Sequence, residues 1–146
     1  MGADRVTIAL RIAEDDDVDR VFGWNFAPDV RAQSTNTGEI ALDRHYEWFF
    51  DRVERPGFWI IEHDGEPVGN IRIDRITGTS GGTISIALAP FARGLGIGRE
   101  AILRACEEWN APVTAKILPG NLASRAAFVA CGFVAADATT FYWSPQ

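Results

Sequence analysis

The sequence predicts an α/β (α+β) domain, and three observations carry that prediction. Short segments alternate apolar and polar residues with the period of a strand, longer ones place apolar residues at the spacing of one helix face, and the two kinds are interleaved from end to end. Composition agrees, since 47% hydrophobic and 23% charged residues in a chain of 146 is the balance of a globular domain with one core. No repeat, low-complexity tract or linker-like stretch interrupts the pattern, so residues 1–146 read as a single domain.

Residues 6–12 alternate well enough for a first strand. Asp15, Asp16 and Asp17 then supply the cap and first-turn acids of a helix carrying Val18, Val21, Phe22 and Trp24, which accounts for the acid run without a metal. After an irregular stretch, 28–39, a second helix is predicted from about 41 to 53, with Leu42, Tyr46, Phe49 and Val53 as its apolar stripe. Residues 58–62, the turn Asp64-Gly65 and residues 67–75 form a hairpin with Val68, Ile71 and Ile73 inward. In 83–88, Ile84, Ile86 and Leu88 share one face, and the small Thr83, Ser85 and Ala87 share the other. A helix to Trp109 follows, with Ile97, Ala101, Ala105 and Trp109 on its apolar face, and then a strand over 113–118. Pro119-Gly120-Asn121 stops that strand and caps a helix over 122–131, which Gly132 ends; residues 133–135 and 140–143 close the sheet as a hairpin.

Several functions are disfavoured by the same composition. Only Cys106 and Cys131 are present, which suggests neither a zinc cluster nor a disulfide framework, and both read as small buried side chains. No metal is expected. A net charge of −6 argues against nucleic acid as a partner. No apolar run approaches the ~20 residues of a membrane span, and the first residues lack a signal-peptide pattern, so the expected location is the cytoplasm. The charge is uneven: residues 1–66 hold fifteen acids and seven bases, whereas 93–146 hold five bases and four acids. A phosphate-rich ligand fits the second half better.

The most informative segment is Arg93-Gly94-Leu95-Gly96-Ile97-Gly98, three glycines in five positions between a strand and an amphipathic helix. Missing β-carbons let a ligand approach the main chain, and the open N–H groups and dipole of a helix start favour a phosphate. From the glycines alone, a plain turn before a helix is an equal alternative. The dinucleotide fingerprint would need glycine where Arg99 stands, and the Gly-Lys-Ser/Thr of a P-loop is missing.

This stretch resembles the acetyl-CoA-binding motif of the GNAT N-acetyltransferase superfamily, Gln/Arg-x-x-Gly-x-Gly/Ala, at Arg93, Gly96 and Gly98. The strand before it, the Pro90 turn, and Asn121, Ser124, Phe128 and Gly132-Phe133 after it fall at that family's spacing, so the resemblance covers residues 83–136. It implies a mixed, mostly antiparallel twisted sheet with helices on both faces and a splayed central pair, here 83–88 and 113–118. It also implies acetyl-CoA (coenzyme A) as cofactor, its pantetheine arm beside Ile86 and Leu88 and its phosphates on Arg93, Gly94, Leu95, Gly96, Ile97, Gly98 and Arg99. Asn121, Ser124 and Phe128 would face the same ligand. An N-cap role is an alternative for Asn121 and is compatible with cofactor contact; for Arg93 and Arg99 the alternative is ordinary solvated charge.

The family pattern breaks at Phe128, where many relatives have a tyrosine that protonates the departing thiolate of coenzyme A. A thiol pKa of about 8.5 makes the thiolate a tolerable leaving group, and a general acid contributes ~10²–10⁴-fold. Slower or differently assisted chemistry is therefore expected, with Tyr142 or a water as proton source. His45, with Glu39 and Asp74 behind it, is the candidate base; its alternative is helix packing or substrate orientation. A backbone N–H near Leu88 or Ala89 is the candidate donor to the oxyanion.

Trp24, Pro28-Asp29-Val30-Arg31, Ser34, Asn36 and His45-Tyr46-Glu47-Trp48-Phe49 bear a weaker resemblance to the PseH-like branch, which acetylates UDP-linked amino sugars. That resemblance implies Trp24, Arg31 and Trp48, with His45, as acceptor-site residues, although Asn25-Phe26 stands where the branch commonly has Arg-Asn. The acidic first half suits a cationic amine better. A peptide N-terminus, as in the RimJ/RimL-like branch, and then a polyamine or aminoglycoside are the alternative acceptors. A non-catalytic acetyl-CoA-binding module is the alternative of another class. In every enzymatic reading the partner is a small-molecule amine or a peptide, with no nucleic acid and no membrane; a homodimer is left open.

Overall fold

Strand pairing in the computed structural model, which describes residues 6–27 and 42–146, gives one seven-stranded sheet in the order β1-β2-β3-β4-β5-β7-β6. The strands are β1 (Ala9–Ile12), β2 (Phe58–His63), β3 (Glu66–Arg75), β4 (Gly82–Leu88), β5 (Val113–Lys116), β6 (Val134–Ala135) and β7 (Thr140–Trp143). Every neighbouring pair is antiparallel except β4 and β5, which run parallel, so the sheet is mixed and mostly antiparallel as expected. Its helices are α1 (Val18–Asn25), α2 (Leu42–Arg52), α3 (Ile97–Trp109) and α4 (Leu122–Ala130). Arg31, Glu39, Ser34 and Asn36 lie outside the described residues.

Local chemistry explains where the elements begin and end. At the start of α1, buried Asp17 accepts from the Glu14 N–H (2.8 Å) and from both terminal nitrogens of Arg11 (2.8 and 2.9 Å), and it also pairs with Arg20. The acid run is thus helix-start chemistry. In the β2–β3 turn, Asp64 and Gly65 both take positive φ (53° and 81°), the backbone a tight hairpin requires. β1 is shorter than expected, starting at Ala9 opposite Glu62, because β2 turns into its hairpin just beyond.

The second helix shows a larger departure. Its buried face is His45, Phe49 and Arg52, whereas Leu42 is exposed. Arg52 tolerates burial because every polar edge is met: Nε donates to Asp74 (2.7 Å), Nη1 to the Arg55 carbonyl (3.0 Å), and Nη2 to the carbonyls of Gly57 (3.2 Å) and Ile73 (2.9 Å). A pattern search that counts only apolar residues misses such a position.

Two cores sandwich the sheet. On one face Val18, Val21 and Phe49 pack on Phe58 and Ile60, so α1 and α2 lie there. On the other face Ile97, Ala101 and Ala105 of α3 pack with Trp59, Ile61, Ile71, Ile73 and Ile84. Helices therefore occupy both faces. Cys106 and Cys131 are buried in this second core, and burial pushes their thiols up to about 12 and about 11, which keeps them protonated and inert. Among the described residues, no helix is long and apolar enough to cross a membrane, and no three histidine, cysteine or acidic side chains cluster to hold a metal.

Candidate active site

β4 and β5 pair at Gly82↔Val113, Thr83↔Thr114 and Ile84↔Ala115 and then part, although β4 continues to Leu88. Residues 85–88 thus have β3 on one side and an open gap on the other. The Ala89 N–H donates to the Val68 carbonyl (2.8 Å), which makes Leu88↔Gly69 a pair that exchanges no bonds with each other. The N–H and C=O of Leu88, and by the period of two those of Ile86, consequently point into the gap. Arg93 Nη2 already donates to the Leu88 carbonyl from that side (3.0 Å). Of the two expected oxyanion donors, Ala89 is excluded because its N–H belongs to the ladder, and Leu88 remains.

At the open end of this gap α3 begins. Gly94 and Gly96 sit at φ 76° and 80°, left-handed backbone that costs a side-chain-bearing residue about 1–2 kcal/mol. Gly96 is the N-cap, and the first intrahelical bond runs from Glu100 N to the Gly96 carbonyl (3.2 Å), so the N–H groups of Ile97, Gly98 and Arg99 have no partner within the helix. A β-carbon at Gly98 would meet only Leu88 Cδ1 at 3.5 Å and Ile86 Cδ1 at 4.0 Å, ordinary contacts. Protein packing therefore does not require glycine there.

The domain model described as "Acetyltransferase (GNAT) domain" matches residues 7–134. The chain belongs to the GNAT acetyltransferase family. Solved structures agree on the fold. A putative acetyltransferase from Salmonella typhimurium, in a structure with its cofactor acetyl-CoA, matches with a TM-score of 0.79 at 17% identity, over 96% of this chain and 95% of that one. Spermidine N-acetyltransferase from Vibrio cholerae, in complex with CoA and spermine, matches at 0.81 and 16%, over 93% and 94%. Ribosomal-protein-alanine N-acetyltransferase from Brucella melitensis matches at 0.71 and 22%, over 92% and 96%. No curated protein matches the sequence.

Within this GNAT domain the expected cofactor residues divide into those at the surface of the cradle and those behind it. Leu95 and Arg99 are exposed, and Ile97 is buried in the core, leaving only its N–H for a ligand. The Asn121 side chain accepts from Ser124 N (3.3 Å), which is the N-cap reading; its amide N–H groups remain as donors. Phe128 is buried in the core against Phe133, with ring centroids 4.9 Å apart.

Both expected catalytic side chains are displaced from the gap. His45 is buried between α1 and α2 amid Phe22, Phe26, Trp48 and Phe49, and its Nε2–H donates to the Val18 carbonyl (2.9 Å). Burial pulls its pKa below the usual range, and Nδ1 has no partner among the described residues. Burial and the bond to Val18 fit the packing alternative for His45. Tyr142 pairs with Thr114, level with Thr83, which places it two strands and three residues from Ile86, about 10 Å in each direction.

The residues expected at the acceptor site, Trp24 and Trp48, lie on the face carrying α1 and α2. Cross-strand partners share a face, so Phe58↔Arg72↔Ser85 and Ile60↔Asn70↔Ala87 all point there, opposite to Ile86 and Leu88. Trp24 is half-buried at the end of α1, and Asn25 beside it accepts a hydrogen bond from buried Asn70 (2.9 Å). Trp48 packs on Phe58 and lies under the Arg72 guanidinium, 4.9 Å from ring centroid to carbon. Sequence reasoning passed over Asn70 and Arg72. A signal existed, because Asn70, Arg72 and Asp74 make one entirely polar face on an interior strand.

Proposed function

We propose that the chain, acting as one domain over residues 1–146, is an acetyl-CoA-dependent N-acetyltransferase that acetylates a primary amine. One observation carries the reading: the free edge of β4, with Ile86 and Leu88 directing N–H groups into the β4–β5 gap, ends beside a helix start with unhindered amides. The amides of Ile97, Gly98 and Arg99 would hold the diphosphate, with help from the exposed Arg99 side chain. Ile86 and Leu88 would pair with the pantetheine arm as a replacement for β5, and an N–H of this edge would meet the carbonyl oxygen as charge develops on it. Asn121 would donate its amide N–H to the arm from the far wall.

The amine approaches from the α1/α2 face, past Ser85 and Ala87, whose small side chains leave the carbonyl open. No tyrosine lies beside the gap among the described residues, so the thiolate departs to solvent or a bound water, as its pKa of about 8.5 permits. Asp74, on that face, is engaged by Arg52 and Arg72. The amine accordingly loses its proton to water, and turnover rises with pH toward the amine's own pKa. A nucleotide-linked amino sugar and a peptide N-terminus are the leading acceptors.

The enclosure of Phe128 and His45 favours one second reading, a module that binds acetyl-CoA without turnover. Two measurements separate these outcomes. Acetyl-CoA at 100 times its dissociation constant should stabilise the fold by ~2.7 kcal/mol in either case. Release of free thiol on adding amines occurs only with the enzyme, and absence of any thermal shift would overturn both.

A further inference from the structure

Arg72 is a guanidinium held in place with capacity to spare. Its Nε donates to Asp74 Oδ2 (3.0 Å), its plane is carried by the Trp48 ring, and its two terminal nitrogens make no hydrogen bond among the described residues. Asp74 does not need it, because buried Arg52 already donates to the other carboxylate oxygen at 2.7 Å. Two guanidiniums therefore meet one carboxylate, and a positive charge is left over at a half-buried position. Directly across the ladder lies Ser85, the first β4 residue beyond the last β4–β5 pair, where the gap opens. Lys116, two residues after Thr114 on β5, shares this face two strands away, about 10 Å from Arg72 or more, and donates to Thr140 Oγ1 (3.1 Å).

We propose that Arg72, clamped by Asp74 and Trp48 beside Ser85, is the anion receptor of the acceptor site, so that the amine acetylated by this chain carries a carboxylate or phosphate group. This deepens the acetyltransferase reading and rests on it. A planar fork with its Nε engaged and its terminal nitrogens open matches two oxygens of a carboxylate or phosphate, whereas a polycation would meet repulsion. The chain's net charge of −6 does not decide the matter, because screening over ~8 Å leaves the groups in contact with Arg72 to set its field, and among the described residues the carboxylate it touches, Asp74, is shared with Arg52.

Matched acceptor pairs test the proposal: L-methionine against L-methioninamide, glucosamine 6-phosphate against glucosamine, and spermidine alone. Thiol release gives kcat and KM separately, and thermal shift in the presence of CoA gives binding without turnover. The wild type should favour the anionic member of at least one pair by about tenfold or more in kcat/KM, mainly through KM, the value of one charge-assisted contact. The arm that responds distinguishes carboxylate from phosphate. Arg72→Gln should bring the two members within about threefold while acetyl-CoA still raises the melting temperature. Arg72→Lys, which keeps the charge but loses the fork, should fall between them and serves if the glutamine variant does not fold. Preference for the neutral members or for spermidine would overturn the proposal, as would an unchanged ratio in Arg72→Gln. So would the absence of binding and reaction with every anionic compound. Loss of the acetyl-CoA shift in the wild type would instead overturn the acetyltransferase reading beneath it.

Discussion

Replacing Gly98 by valine separates what the cradle does for the fold from what it does for a ligand. The new β-carbon meets only Leu88 Cδ1 at 3.5 Å and Ile86 Cδ1 at 4.0 Å, and φ at this position is not in the left-handed region. Helix propensity changes in the variant's favour by a few tenths of a kcal/mol, so the unliganded protein should melt within about a degree of wild type. The side chain nevertheless stands over the amides of Gly98 and Arg99. Each hydrogen bond to a charged phosphate contributes about 1.5–3 kcal/mol, so losing one weakens acetyl-CoA binding roughly 10- to 150-fold. At a concentration 100 times the wild-type dissociation constant, acetyl-CoA stabilises wild type by ~2.7 kcal/mol; after a 100-fold loss the same concentration gives only ~0.4 kcal/mol. For a domain of this size the thermal shift should fall from about 5–10 °C to about 1 °C. An acetyl-CoA shift of wild-type size in Gly98→Val would refute the placement of phosphate on the start of α3.

His45→Leu should cost roughly 1–3 kcal/mol, because the bond to the Val18 carbonyl is lost inside the aromatic cluster, while kcat stays within threefold of wild type; urea titration and thiol release check the two halves. His45 is also predicted to impart acid sensitivity. Burial lowers its pKa in the folded chain, so the unfolded chain binds the extra proton: stability is fully present above about pH 6.5 and is lost as pH falls from there toward the folded value. The urea midpoint should therefore fall between pH 7.5 and pH 5, and His45→Leu should flatten that fall. Asp17 adds a second step. Burial alone would raise its pKa, but hydrogen bonds from Arg11, Glu14 and Arg20 outweigh burial and lower it, so its contribution is present above about pH 4 and lost below; Asp17→Asn should remove that step. Phe128→Tyr tests the missing acid: because the ring is enclosed against Phe133, the hydroxyl should cost stability by about 1–3 kcal/mol and bring no gain in kcat, and a gain of tenfold or more would show that position 128 reaches the thiolate.

The elements that sequence disclosed well are those whose local chemistry and tertiary packing agree. Ile97, Ala101, Ala105 and Trp109 sit on one helical face, and that face is the one α3 packs on the sheet; Gly132, at φ 97°, ends α4 where a glycine was expected to end it. The parting of β4 and β5 was expected from family resemblance alone, since nothing in the two segments' composition distinguishes paired from unpaired residues. The burial of Arg52 and His45 was not legible, because each depends on acceptors far along the chain: Asp74 and Ile73 for one, Val18 for the other. For the same reason a histidine nominated as a base on its titration range could not be seen, from the sequence, to be buried against Val18.

Charge shows most clearly why the acceptor could not be read from totals. The first half of the chain is strongly acidic, which by itself suits a cationic substrate. Folding pairs part of that charge: Asp17 with Arg11 and Arg20, Asp51 with Arg55, and Asp74 with Arg52 and Arg72. On the sheet face beside the gap, the Arg72 guanidinium shares its one carboxylate with Arg52 and is held by that carboxylate on its edge and an indole against it. If Arg72 is the anion receptor proposed above, the sign an approaching amine meets would be set by the groups within a screening length of that guanidinium and not by the total charge of the chain.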